Sequence, residues 1–338
     1  MPDRLKVAVV GAGFMGELHA RTYAQCDAAE LVAIADPNVE VGLDVAKRYG
    51  ARHVADVQDL LDDGTVQAFT VALPDRMHVE ITSRILEAGK AVLLEKPMAD
   101  TLEGARRIAE AEQRGGGRLM VGHILRFDPR YVGAAEAVAS GQVGDPVHIT
   151  GTRFSPREVG ERLAGSSSVC FYLGVHDVDA IQWVSGKRVS SVYSRAVSKI
   201  MPLAGVESED SIFSTCEFED GTIGALHFGW SVPPYMPSAI NARLEVFCTE
   251  GVIKLDVHDH GLQVIAPSGV TLPDGLHWPE VNGRIRGDLA AEVLHFVTCV
   301  RDDQEFVISV PEALRAVALN DAILRSVESG RPESVEEV

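Results

Sequence analysis

Two stretches of this chain hold side chains able to move a proton or steady a charge: Leu93-Leu94-Glu95-Lys96-Pro97-Met98 and Gly174-Val175-His176-Asp177-Val178-Asp179. In the first, an acid and a lysine end an apolar run that reads as a fully buried strand, where a charged pair is costly unless it is hydrogen-bonded or used. In the second, a glycine leads into a helix that turns Val178, Ile181 and Val184 toward a core and leaves His176 at its start, free to point into a cleft. A near-neutral histidine and an ammonium are what proton transfer and oxyanion stabilisation call for. Another polar strand end is Leu73-Pro74-Asp75-Arg76-Met77-His78, whose histidine either faces a ligand or lies on a helix surface. His176 with Asp179 lacks a third metal ligand nearby, and His258-Asp259-His260 reads as an exposed hairpin tip, so no metal is expected.

These groups need a scaffold, and the chain opens on one. The apolar run Val7-Ala8-Val9-Val10 meets Gly11-Ala12-Gly13-Phe14-Met15-Gly16, a G-x-G-x-x-G turn between a strand and a helix. Such a turn aims backbone N–H groups and a helix N-terminus at a pyrophosphate. Its first glycine permits the tight turn, the second lets a phosphate approach, and the third lets helix and strand pack closely. Leu31–Ala35 reads as a second buried strand ending at Asp36, placed to accept from a ribose 2′-hydroxyl. The carboxylate would repel a 2′-phosphate, and no arginine follows in Pro37-Asn38-Val39, so NAD is expected over NADP. Strand-like runs then alternate with helix-period stretches up to Leu119–Gly122, which predicts an α/β, doubly wound parallel Rossmann sheet over residues 1–123. Over residues 124–338, β-branched, alternating runs joined by turns such as Glu219-Asp220-Gly221 predict an α+β domain with a large, open, mostly antiparallel sheet. A bare apolar sheet face would want a partner, so a homodimer or homotetramer is expected.

Composition narrows the partners. The 338 residues are 46% hydrophobic and 24% charged, an ordinary globular mix, and the net charge of −18 makes nucleic acid and anionic membrane poor partners. No apolar run approaches membrane-spanning length and no leader pattern precedes the first strand, so a cytoplasmic protein is expected. Five scattered cysteines without CxxC spacing indicate buried thiols rather than disulfides or zinc.

Taken together, AVVGAGFMG at the start, IADP at Ile34 to Pro37, LPxxxH at Leu73 to His78, EKPM at Glu95 to Met98, GHxxRFDP at Gly122 to Pro129 and GVHDVD at Gly174 to Asp179 resemble the glucose–fructose oxidoreductase, inositol dehydrogenase and MocA family. The resemblance spans essentially the whole chain. It implies NAD-dependent oxidation of a ring secondary alcohol in a polyol, cyclitol or sugar derivative. Lys96 would hydrogen-bond the reacting oxygen and His176 would serve as acid/base, with Leu73, Pro74, His78, Glu95, Lys96 and Pro97 joining Gly11, Gly13, Phe14, Met15, Gly16 and Asp36 around the cofactor. Tyr172, Arg153 and Asp179 are the candidate substrate contacts. Two departures stand out: Tyr172 occupies a position where many members have an aspartate, and Asp75 one where asparagine is usual. Arg153, Arg157 and Arg162 could read a carboxylate or phosphate on the substrate, or simply pair with Glu158 and Glu161. A non-catalytic dinucleotide sensor or scaffold is the alternative function.

Overall fold

Leu5–Val10 (β1) sits at the middle of a parallel sheet because Val7, Ala8 and Val9 are wholly buried, as a strand covered on both faces requires. The computed structural model describes residues 4–234, 236–237, 240–258 and 260–338. The other strands of this sheet are β2 (Ala29–Ala35), β3 (Arg52–Val54), β4 (Ala68–Val71), β5 (Ala91–Glu95) and β6 (Arg118–Gly122). Their order is β3-β2-β1-β4-β5-β6, all parallel. The connecting helices are α1 (Phe14–Ala24), α2 (Val39–Tyr49), α3 (Gln58–Asp63), α4 (His78–Glu87) and α5 (Leu102–Gly115). Local chemistry sets their ends: Asn38 caps α2 by accepting from Val41 N, and Thr101 caps α5 by accepting from Gly104 N. Strand order reverses between β1 and β4, so the carboxyl ends of these two strands form the crevice where this architecture binds ligands.

The chain does not divide at residue 123 as its sequence suggests. The first compact unit runs to Phe127 and takes back Leu276–Leu314; the second comprises Asp128–Gly275 and Arg315–Val338. The reason is a helix at Asp288–Arg301 whose Leu289, Val293, Phe296 and Val297 share one stripe and enter the core of β1, β2 and β5 beside Val9, Ile34 and Leu93. Nothing local in that amphipathic stripe says which sheet it will cover.

In the second unit, α6 (Pro129–Ala139), whose first turn Asp128 caps, leads to β7 (Pro146–Pro156) and α7 (Arg157–Leu163). A π-helical turn at Cys170–Gly174 runs into α8 (Val175–Ser185). The sheet adds β8 (Val189–Val197), β9 (Ser211–Phe218), β10 (Ile223–Val232), β11 (Asn241–Cys248) and β12 (Val252–Asp256). Its order is β12-β11-β7-β10-β9-β8, closed at the β8 edge by Glu333–Ser334, and only β7 with β10 is parallel. Burial alternates along β7 so that Ile149, Gly151, Arg153 and Ser155 face inward. All five cysteines are free, and no described helix is long and apolar enough to cross a membrane.

Candidate functional site

In the first unit the glycine turn has the geometry a dinucleotide needs. Gly11 takes φ +96°, and a Cβ there would lie 2.4 Å from Ala72 O; one on Gly16 would lie 1.8 Å from Gly11 O. Only glycine fits either place. A Cβ on Gly13 would meet nothing within 4 Å, and no side chain caps α1, so its first N–H groups face open space with the helix dipole behind them. Asp36 follows β2 and braces the turn: Oδ2 accepts from Ala12 N at 2.7 Å and Oδ1 from Asn38 N at 2.8 Å. A carboxylate has lone pairs beyond these two bonds for a ribose hydroxyl. These residues fit a dinucleotide. Phe14 is 68% exposed, with its ring edge-on to Trp278 at 6.1 Å, and Met15 is half-buried.

At the carboxyl end of β5 the structure separates the neighbouring charges. Lys96 is half-buried, whereas Glu95 turns inward, where its Oε1 lies 2.7 Å from His19 Nε2. Burial works to raise the Glu95 carboxyl, but the His19 hydrogen bond and charge, with Lys96 and His78, hold it below its ordinary value. Glu95 therefore anchors the strand end next to Lys96. His78 is likewise turned inward: it is 1% exposed, with Nε2 2.9 Å from Leu73 O and Nδ1 2.8 Å from Pro97 O. Burial lowers its pKa against the pull of those two carbonyls. It ties the loop after β4 to the segment carrying Lys96, which explains why Leu73, Pro74 and Pro97 matter although no reactive group is theirs.

Sequence reasoning missed a partner in this cluster. Glu292, from the returning helix, is 1% exposed, with ligand-type atoms of His19, Glu95 and Glu292 all within 4.8 Å of one another. Burial, then the charges of Glu95 and Asp288, push its carboxyl well above the usual range. His19, on α1 three residues past Gly16, could have been suspected from its place on the sheet-facing side; nothing near Glu292 in sequence points to β5.

In the second unit the π-helical turn redirects the chain just before His176, a distortion that recurs at functional sites. His176 and Tyr172 are half-buried, and Tyr172 OH accepts from Arg162 Nη2 at 3.3 Å. Arg153 is not available to a substrate. It is 3% exposed, its Nε and Nη2 donate to the two oxygens of Asp177 at 2.7 and 3.2 Å, and Nη2 reaches Tyr131 OH at 3.3 Å. Its odd-numbered place on β7 turns it inward against α8, where a buried guanidinium must be paired. Asp179 is 3% exposed on the same helix. His260 pairs with Asp274 at 3.3 Å, while Asp259 lies outside the described residues.

Comparison with known proteins agrees with this geometry. Residues 5–123 match the model of an oxidoreductase family with an NAD-binding Rossmann fold, and residues 131–254 match the GFO/IDH/MocA C-terminal domain. Inositol 2-dehydrogenase of Rubrobacter xylanophilus is 38% identical over 199 residues, 58% of this chain and about half, 56%, of that protein's length. The scyllo-inositol 2-dehydrogenase (NAD(+)) of Bacillus subtilis is 25% identical over 338 residues, 98% of this chain and 96% of that protein. Among solved structures, GenD2 from gentamicin A biosynthesis in complex with NAD superposes with a TM-score of 0.87 at 26% identity, covering 99% of this chain and 97% of that one. The chain belongs to the GFO/IDH/MocA family of oxidoreductases, with the family's NAD-binding Rossmann domain at its N-terminal end.

Proposed function

We propose that this protein is an NAD-dependent dehydrogenase that oxidises a ring secondary alcohol of a polyol, cyclitol or sugar derivative. The observation that carries the reading is the support on either side of Lys96: a half-buried lysine whose preceding residue Glu95 is bonded to His19 and whose following residue Pro97 is bonded to His78. Relatives named as inositol dehydrogenases support the substrate class, and the sensor or scaffold alternative finds no such support. When bound, the nicotinamide accepts the hydride. Lys96 donates a hydrogen bond to the reacting oxygen and stabilises the alkoxide as it forms. His176, at the start of α8, takes the hydroxyl proton. Gly11, Gly13, Phe14, Met15, Gly16 and Asp36 hold the dinucleotide, and Tyr172 contacts the substrate.

The same reading places the protein in the cytoplasm, as a homodimer or homotetramer. An exposed apolar face on the second unit's sheet, with Tyr193, Val197, Phe213 and Ile223 from 39% to 60% exposed, supports self-association. Incubation with NAD and a panel of inositols, aldoses and uronic acids tests the activity: NADH absorbance should grow with at least one ring polyol, and at least about 100-fold more slowly for Lys96→Met, which still binds NADH. Undiminished growth in Lys96→Met, or none in the unmodified protein, refutes the assignment.

A further inference from the structure

Where β7 runs into α7, two polar groups are left that nothing among the described residues satisfies. Arg153 is paired, but Ser155, two residues on, is 5% exposed and its buried Oγ has no hydrogen-bond partner among the described residues. Arg157, two residues further and half-buried, has its Nε shut away from solvent with no partner, and among the described residues it makes no ion pair. Neither Arg157 nor Arg162 pairs with Glu158 or Glu161, the surface alternative their spacing offers. Arg162 instead donates to Tyr172 OH at 3.3 Å, and α7, which carries both arginines, sits against Trp230, whose ring lies 6.3 Å from that of Tyr172. An unpaired half-buried cation such as Arg157 is unexpected where acids outnumber bases 49 to 31. A buried hydroxyl and a buried guanidinium N–H without partners each carry a desolvation penalty, which a ligand acceptor would remove.

We propose that Ser155, Arg157 and Arg162 form a subsite for an anionic substituent, a carboxylate or a phosphate, on the ring substrate. Planar guanidinium groups are the side chains best suited to grip such an oxyanion, with the serine hydroxyl supplying a further donor. The long-range field of a chain with net charge −18 repels anions, so an anionic substrate would need a local cationic site. The subsite lies on the unit that carries Tyr172 and His176, next to the side chain read as touching substrate. The inference rests on the dehydrogenase reading, and makes its substrate an acidic ring polyol.

The test compares D-glucuronate, myo-inositol 1-phosphate and neutral myo-inositol, both for binding to the NADH-loaded protein by calorimetry and for turnover with NAD. At least one anionic ring should bind more tightly than myo-inositol, by on the order of 10- to 100-fold for a charged hydrogen-bonding group. Which of the two wins distinguishes carboxylate from phosphate. Arg157→Met should remove that preference and Arg157→Lys should restore part of it; Ser155→Ala, which leaves the charge in place, reads the same subsite should Arg157→Met fold poorly. Equal or tighter binding of myo-inositol, or an undiminished preference in Arg157→Met, overturns the subsite while oxidation of myo-inositol leaves the dehydrogenase reading standing. Arginine-dependent binding of an anionic ring without NAD reduction by any panel member does the reverse.

Discussion

Arg153 and Asp177 form a two-pronged ion pair, 3% and 1% exposed, that joins the inner face of β7 to the residue immediately after His176. Burial opposes the charge on Arg153 and raises the Asp177 carboxyl, and each partner holds the other's charge against that penalty. Arg153→Met would strand a buried carboxylate and cost about 3–5 kcal/mol of stability, whereas the double variant Arg153→Met with Asp177→Leu should recover most of it. Urea unfolding reads both. A single variant as stable as the parent would show that the pair does not hold α8 in place.

Asp36 braces the glycine turn through Ala12 N, and the proposed function gives it a second duty, facing the ribose. Asp36→Asn keeps an acceptor for the turn and removes the charge that repels a 2′-phosphate. It should narrow the preference for NAD over NADP, while Asp36→Ala should also weaken NAD itself by about 10- to 100-fold. Initial rates with each nucleotide separate the two duties. An unchanged NAD/NADP ratio in Asp36→Asn would remove the residue from cofactor selection.

The Glu292 carboxyl is raised by burial in the folded chain, so between its unfolded pKa near 4.5 and its higher folded value the native state holds the extra proton. Stability from this group is therefore lost as pH rises through that window. Glu292→Gln cannot ionise and should melt with a flatter dependence on pH above about 4.5 than the parent. Parallel melting curves across pH would show that Glu292 does not keep its proton.

Much of this was legible in the residues. Gly11, Gly13 and Gly16 followed by Asp36 after the next apolar strand dictate a dinucleotide turn by steric and electrostatic logic that acts over a few residues, and the alternation of β1 to β6 with helices fixes a parallel sheet. What could not be read depends on contacts distant in sequence. The returning helix and Glu292 join β5 across about two hundred positions, and the inward turn of Arg153 follows from the register of β7 against α8. Glu95 and His78 carried the right signal, a polar group at a buried strand end, but the same signal marks a residue that touches a cofactor and one that supports its neighbour.

The central claim is that hydride leaves a ring carbon for the nicotinamide with Lys96 steadying the oxygen. Its most direct measurement is mass spectrometry of the NADH formed from a ring polyol carrying deuterium at its carbinol carbons. The account predicts deuterium in the recovered NADH, at a rate at least about 100-fold lower for Lys96→Met, the size of a lost oxyanion stabiliser. NADH formed without deuterium, or at an undiminished rate in Lys96→Met, would contradict it.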